Sequence, residues 1–254
     1  MVLEFVVGAT IVVSLVSLVG VLLLWLNEKT LNRFLLFFIS FAIGAMLGAV
    51  FLDLLPEAVE TVGVQVACVY ALAGIVVFYV VEKFLHWHHH HEGHRSEGET
   101  RKHVHSFGYL NLFGDAIHNF VDGALIAASF LAGFPLGVVS TIAVIAHEVP
   151  QELGDFGVLL YSGFQKNKAL LFNFLTALTA VAGALVAFFA GFSMEANALL
   201  IAFAAGSFVY IAATDLIPEL HKHEERRMLR SMAQVVALLF GIVIIWLVGV
   251  FFEH

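Results

Sequence analysis

Two neighbouring apolar segments of the 254-residue chain carry metal-ligand side chains in a recurring spacing: His118-Asn119-x-x-Asp122, and His147-Glu148-x-x-Gln151-Glu152. Ionisable groups at membrane depth are costly, so they face a protein-lined cavity and serve a function there. A helix turns about 100° per residue, which puts Asp122 about 40° from His118 and Asn119 about 100° from it, with the carboxylate between the two. Gln151 falls in the same way between His147 and Glu148. Two such helices face to face would offer imidazole, carboxylate and amide groups to one divalent cation, or to two adjacent cations sharing the middle ligands. Imidazole nitrogen with carboxylate oxygen suits zinc, and also iron(II), manganese(II), cobalt and cadmium. Calcium and magnesium sites are all oxygen, so the histidines count against them. The neutral amides of Asn119 and Gln151 weaken the field, as suits an ion that must both bind and leave.

More polar groups continue the same faces. Asn111, Asp115, His118, Asn119 and Asp122 fall within a wedge of about 100° on one helix, and His147, Glu148, Gln151, Glu152 and Asp155 within about 140° on the next. Five carboxylates and two imidazoles among these ten side chains exceed what hydrogen bonding between membrane helices requires. The lone Cys68 excludes an internal disulfide framework and a cysteine-based zinc site.

The elements that must position these residues follow from composition. Hydrophobic residues make up 61% of the chain, charged residues 13%, and the mean hydropathy is +0.95, values that no ordinary soluble domain shows. The chain reads as an all-α polytopic membrane protein, a single transmembrane domain over residues 1–254. Apolar spans of about twenty residues are expected at 4–26, 32–55, 63–86, 107–131, 136–162, 168–191, 196–219 and 231–252. The first has no basic leader and no small-residue cleavage site, so it is expected to be retained. All twelve Lys and Arg residues then fall in or beside loops on one side, which predicts a cell (inner) membrane protein with both termini outside the cytoplasm. The formal net charge of −8 suggests no nucleic-acid partner.

A repeat relates the flanks. Gly44 to Glu57 reads GAMLGAVFLDLLPE and Gly206 to Glu219 reads GSFVYIAATDLIPE; without gaps, Gly44, Asp53, Leu54, Pro56 and Glu57 meet Gly206, Asp215, Leu216, Pro218 and Glu219. The second and seventh spans cross the membrane in opposite directions, which predicts an inverted repeat of spans 1–3 and 6–8 around central spans 4 and 5. Pro56, Pro150 and Pro218 release the carbonyls of Leu52, Ala146 and Thr214 within these spans. Asp53, Glu57, Asp215 and Glu219 beside them are expected to mark the two mouths of a pathway.

The runs GDAIHNFVDG (Gly114 to Gly123) and HEVPQELGD (His147 to Asp155), with the DLLPEA and DLIPEL ends of spans two and seven, resemble the ZIP family of divalent-metal transporters over essentially the whole chain. The branch with H-N-F-x-D-G and H-E-x-P-H-E-x-G-D motifs is the one most resembled. That resemblance implies zinc, or a similar ion, moving into the cytoplasm by an elevator-like or rocking alternating-access motion, often in a homodimer. It also implies a binuclear site, with His118, Asp122, His147 and Gln151 around one metal and Asn119, Asp122, Glu148 and Gln151 around its neighbour. Gln151 here replaces the second histidine of the fifth-span motif, and Asp53 stands where many relatives have a histidine. The sixth span offers Asn173, Thr176 and Thr179 but no acidic residue.

Residues 87–106 form a His-rich segment expected in the cytoplasm, in which His88, His89, His90, His91 and His94 could capture or sense the emerging ion. No enzymatic cofactor is expected; the metal is cargo. The competing functions are an intramembrane zinc metalloenzyme, since His147-Glu148-x-x-Gln151 falls one residue short of H-E-x-x-H, and a metal sensor that does not transport.

Overall fold

The computed structural model describes residues 2–21, 28–90, 100–222 and 228–252, and they are helical almost throughout. Helix α1 (Val2–Val16) runs on through a 3-10 turn, Ser17–Val21. After it come α2 (Glu28–Gly48), α3 (Leu55–Val62), α4 (Val64–His90), α5 (Thr100–Ala132), α6 (Phe134–Tyr161), α7 (Lys166–Ala177), α8 (Thr179–Phe189), α9 (Met194–Ile211), α10 (Ile217–Lys222) and α11 (Met228–Phe252). Glycines with positive φ end three of them, Gly63 at 81°, Gly163 at 85° and Gly191 at 62°, a backbone region closed to most other residues. Ser193 caps α9 by accepting from the Ala196 N–H at 3.3 Å.

Among the described residues, six stretches are long and apolar enough to cross a bilayer: Val2–Val21, Leu35–Val62, Val64–Lys83, Lys166–Phe189, Met194–Leu216 and Ser231–Phe251. Helices α5 and α6, with 33 and 28 residues, are long enough, the shorter about 42 Å at 1.5 Å per residue. Their polar wedges are what separate them from the other six. Their middle stretches are enclosed: Leu125, Ile126, Ala127, Val139, Ala143 and Val144 are fully buried, although Tyr109 and Phe113 of α5 are exposed, and α6 packs against α1, α2, α5, α7 and α11. The large apolar side chains that α4 and α11 leave exposed, such as Val69, Leu72, Leu239 and Trp246, suit a hydrocarbon surround.

Helix pairs meet through glycine. A Cβ at Gly44 on α2 would lie 1.9 Å from the Leu238 carbonyl oxygen of α11, and one at Gly206 on α9 would lie 1.8 Å from the Ala71 carbonyl oxygen of α4. The reverse contacts match as well: a Cβ at Gly241 would lie 2.3 Å from the Phe41 oxygen, and one at Gly74 2.0 Å from the Phe203 oxygen. With no hydrophobic drive between helices in lipid, such close backbone approach is how they adhere. Gly123 on α5 and Gly183 on α8 join the central helix to its neighbour in the same way.

The prolines act upstream of themselves. Over Ala49–Leu54 and Ala212–Leu216 the helix widens to π geometry, with the Leu55 N–H reaching the Val50 oxygen and the Ile217 N–H the Ala212 oxygen, five residues back in each case. Pro56 and Pro218, which lack a donor, follow directly, so the extra residue is absorbed where the ladder is already interrupted. Asp53 and Asp215 both sit in the widened turns. Pro150, by contrast, lies within a continuous α6.

Candidate metal centre

His118 and Asp122 of α5 and His147 and Glu148 of α6 converge at the centre of the enclosed pair. One ligand atom from each lies within 4.8 Å of all the others, and all four residues are buried. The two imidazole Nε2 atoms are 3.1 Å apart. Asp122 Oδ2 lies 3.0 Å from His147 Nε2 and 3.6 Å from His118 Nε2; Glu148 Oε1 lies 3.5 Å from His118 Nε2 and 3.7 Å from His147 Nε2. The His147 tautomer follows from its other nitrogen, which meets the Ala143 carbonyl at 3.0 Å. A carbonyl can only accept, so Nδ1 carries a proton, and in the neutral ring Nε2 presents its lone pair to the centre. Anchoring of this kind orients metal-binding imidazoles. Asp122 Oδ2 and Glu148 Oε1 are buried without a hydrogen-bond partner. Phe208 packs its ring edge-on to His147 and Phe78 to His118, at centroid distances of 5.1 and 5.9 Å.

Around this centre, asparagines hold the other carboxylates. Asn119, expected as a ligand, turns its amide to Asp115, donating to Oδ1 at 2.8 Å and to the backbone oxygen at 3.2 Å, and leaves its own Oδ1 buried and unpartnered. Asn111 donates to Asp155 Oδ1 at 2.9 Å. Asn173 of α7, noted in the sequence only as a weak candidate, donates to Glu152, and Thr179 donates to the Ala116 carbonyl of α5 at 2.7 Å. An amide on one carboxylate oxygen fixes the group, while Asp115 Oδ2, Glu152 Oε1 and Asp155 Oδ2 stay buried without a hydrogen-bond partner.

A cavity of about 660 Å³ opens from His118, with Asn111, Asp115, Gln151 and Asp155 on one wall and Glu82, Tyr210 and Asp215 on another. Tyr210 donates its hydroxyl to the Glu82 carboxylate, a contact between α9 and α4 that no sequence motif signalled. Gln151 thus faces the cavity beside the four-residue centre. Asp215 is exposed on the wall, whereas half-buried Asp53 and Glu57 are not part of it. The side chains of Glu219, His88, His89 and His90, and the whole of His91 and His94, lie outside the described residues.

These features define a helical membrane protein with a buried nitrogen- and oxygen-ligand centre beside a largely apolar cavity that carries a few polar and acidic side chains. The sequence profile of the ZIP zinc transporter family matches residues 3–108 and 88–249, and the chain belongs to that family, which comprises transporters and not enzymes. It is 32% identical over 284 residues to the zinc transporter ZIP13 homolog of Drosophila melanogaster, an alignment covering 88% of this chain and 79% of that protein. Zinc transporter ZIP13 of Pongo abelii is 34% identical over 238 residues, covering 85% of this chain and 67% of the relative. Zinc transporter ZIP4 of Homo sapiens is 40% identical over 144 residues, 56% of this chain but 22% of that longer protein.

Proposed function

We propose that this chain carries a divalent metal ion, zinc foremost, across a cell membrane into the cytoplasm by alternating access. The observation that carries the reading is the convergence of four buried ligand atoms from two facing helices. The lone pair of His147 Nε2 and the oxygens of Asp122 and Glu148 repel one another at these distances, and a cation among them reverses the sign of every contact. Asn119 and Gln151 complete an adjacent second position, with the Asn119 amide rotated from Asp115 towards the ion. Relatives that match most of the chain are zinc transporters by name, and the mixed imidazole and carboxylate donors suit zinc.

The chain is proposed to cross the membrane eight times, α5 and α6 being the two polar spans, with spans 1–3 and 6–8 as an inverted repeat. The matched contacts of Gly44 with Gly206 and of Gly74 with Gly241 support the repeat, as do the π turns at Asp53 and Asp215. The cavity runs from the centre towards the ends of α4, α5, α6 and α9 nearest the basic loops. By the distribution of positive charge that side is cytoplasmic, which makes this a conformation open to the interior. Asp115, Asp155 and Asp215 line the route out.

Uptake of zinc, cadmium, iron(II) and manganese into proteoliposomes, with His118→Ala and Asp122→Ala alongside, tests the proposal. Saturable zinc uptake lost in both variants is expected. Full uptake by Asp122→Ala, or tight binding with no flux for any metal, would overturn it.

A further inference from the structure

The repeat pairs residues that differ as well as residues that agree. The registration that lays Gly44 on Gly206 also lays Gly48 on Tyr210. The paired backbone contacts lay Ala71 on Leu238 and Gly74 on Gly241, and hence Phe78 on Ile245, Val81 on Val248 and Glu82 on Gly249. At one end of α9 and α4, therefore, a tyrosine and a glutamate stand where α2 and α11 have two glycines. The glycines permit close packing: a Cβ at Gly48 would lie 3.3 Å from Ile245 Cβ, and one at Gly249 would lie 3.0 Å from Asp53 Oδ1. Tyr210 and Glu82 instead form a hydrogen bond between their helices, on the wall of the cavity. Exposure follows the same asymmetry. Phe78 lines the cavity, whereas its counterpart Ile245 is 0% exposed.

We infer that Glu82 and Tyr210 are positioning residues of the transport cycle, whose hydrogen bond latches α4 to α9 while the cavity is open and must part when the two helix pairs exchange arrangements. The inference rests on the alternating-access reading above. The glycine crossings of the two pairs already match, so the exchange concerns their ends: there α4 and α9 take up the close packing now held by α2 and α11 at Gly48 and Gly249, which leaves no volume for a phenol ring bridged to a carboxylate. The bond belongs to one state only, and a ligand or contact present in one state alone is what shifts a two-state balance. A hydrogen bond to a charged group corresponds to about a tenfold to hundredfold change in the ratio of the two states.

The test places a cysteine where only the alternate state exposes it. In a Cys68→Ser chain reconstituted in vesicles, Ile245→Cys reports that state; Val248→Cys, at a half-buried position, serves if the first does not fold. Labelling by a water-soluble methanethiosulfonate is compared with and without Tyr210→Phe, Glu82→Gln and both together, and zinc uptake is measured in parallel. Each single variant is expected to raise the labelling rate about tenfold or more, and the double variant no further than the singles, because both remove the same bond. Unchanged labelling in a chain that still takes up zinc would overturn the latch and leave the transport reading intact. A Cys68→Ser parent that takes up no zinc would sink the transport reading and the latch with it.

Discussion

Asp122→Asn should make the metal-free protein more stable and at the same time remove its response to zinc. Asp122 Oδ2 lies 3.0 Å from His147 Nε2, and with the imidazole neutral and its Nδ1 donating to the Ala143 carbonyl two acceptors confront each other in a buried site. An amide nitrogen in place of Oδ2 turns that contact into a hydrogen bond, worth about 0.5–1.5 kcal/mol net, and removes an unsatisfied buried acceptor that costs about 1–3 kcal/mol. A gain at the middle of both ranges, about 3 kcal/mol together, corresponds to about 6–12 °C in melting temperature for a chain of this size. Zinc at a hundred times its dissociation constant stabilises the native protein by about 2.7 kcal/mol. Losing a direct ligand should weaken binding at least as much as losing an outer partner does, about 10–100-fold, so at the hundredfold loss the increment at the same zinc concentration falls below about 0.5 kcal/mol. Thermal unfolding in detergent, with chelator and then with zinc, reads both effects. A lower melting temperature in chelator, or a zinc increment equal to that of the unmodified chain, would refute the picture of a site built from opposed lone pairs.

Gln151→His supplies a second imidazole on α6 beside the centre and should shift uptake preference towards zinc over manganese; competition between the two ions in proteoliposomes measures it. Deletion of residues 88–94 should change the rate of zinc uptake or its dependence on cytoplasmic zinc without abolishing it, since the four buried ligands are untouched. Gly206→Leu should prevent folding, because even a Cβ there meets the Ala71 carbonyl at 1.8 Å, whereas Gly8→Ala, with nothing within 4 Å, should be neutral or stabilise by up to about 1 kcal/mol. Detergent-extracted yield and size-exclusion profiles of the two variants would separate those outcomes.

The four-residue centre could be read from the chain because its information is local: His118 and Asp122 share a helix face by periodicity, and His147 and Glu148 are neighbours within the polar wedge of the next helix. The direction of Asn119 could not, since it depends on whether Asp115, one turn away, claims the amide before a cation does. Asn173 carried too little signal in the sequence because its partner, Glu152, belongs to a different helix. The prolines announced a break in α2 and α9, but local interruption can resolve as a kink or as a π turn, and only the packing of the flanking helices decides between them. Span counting by apolarity met a related difficulty. Helices α5 and α6 carry the site, and the polarity that makes them functional takes them out of the apolar class.

The glycine contacts also constrain how the chain is made. Gly44 on α2 finds its backbone partner at Leu238 on α11, the last helix described, and Gly74 on α4 finds its partner at Phe203 on α9. As synthesis proceeds from the N-terminus, the early helices enter the bilayer with their small-residue grooves bare and must wait for partners more than a hundred residues downstream. The ribosome therefore delivers both ligand-bearing helices before the clamps that enclose them exist. A chain stopped ahead of α11 would leave the groove at Gly44 open to lipid, an incomplete species distinct from the finished one.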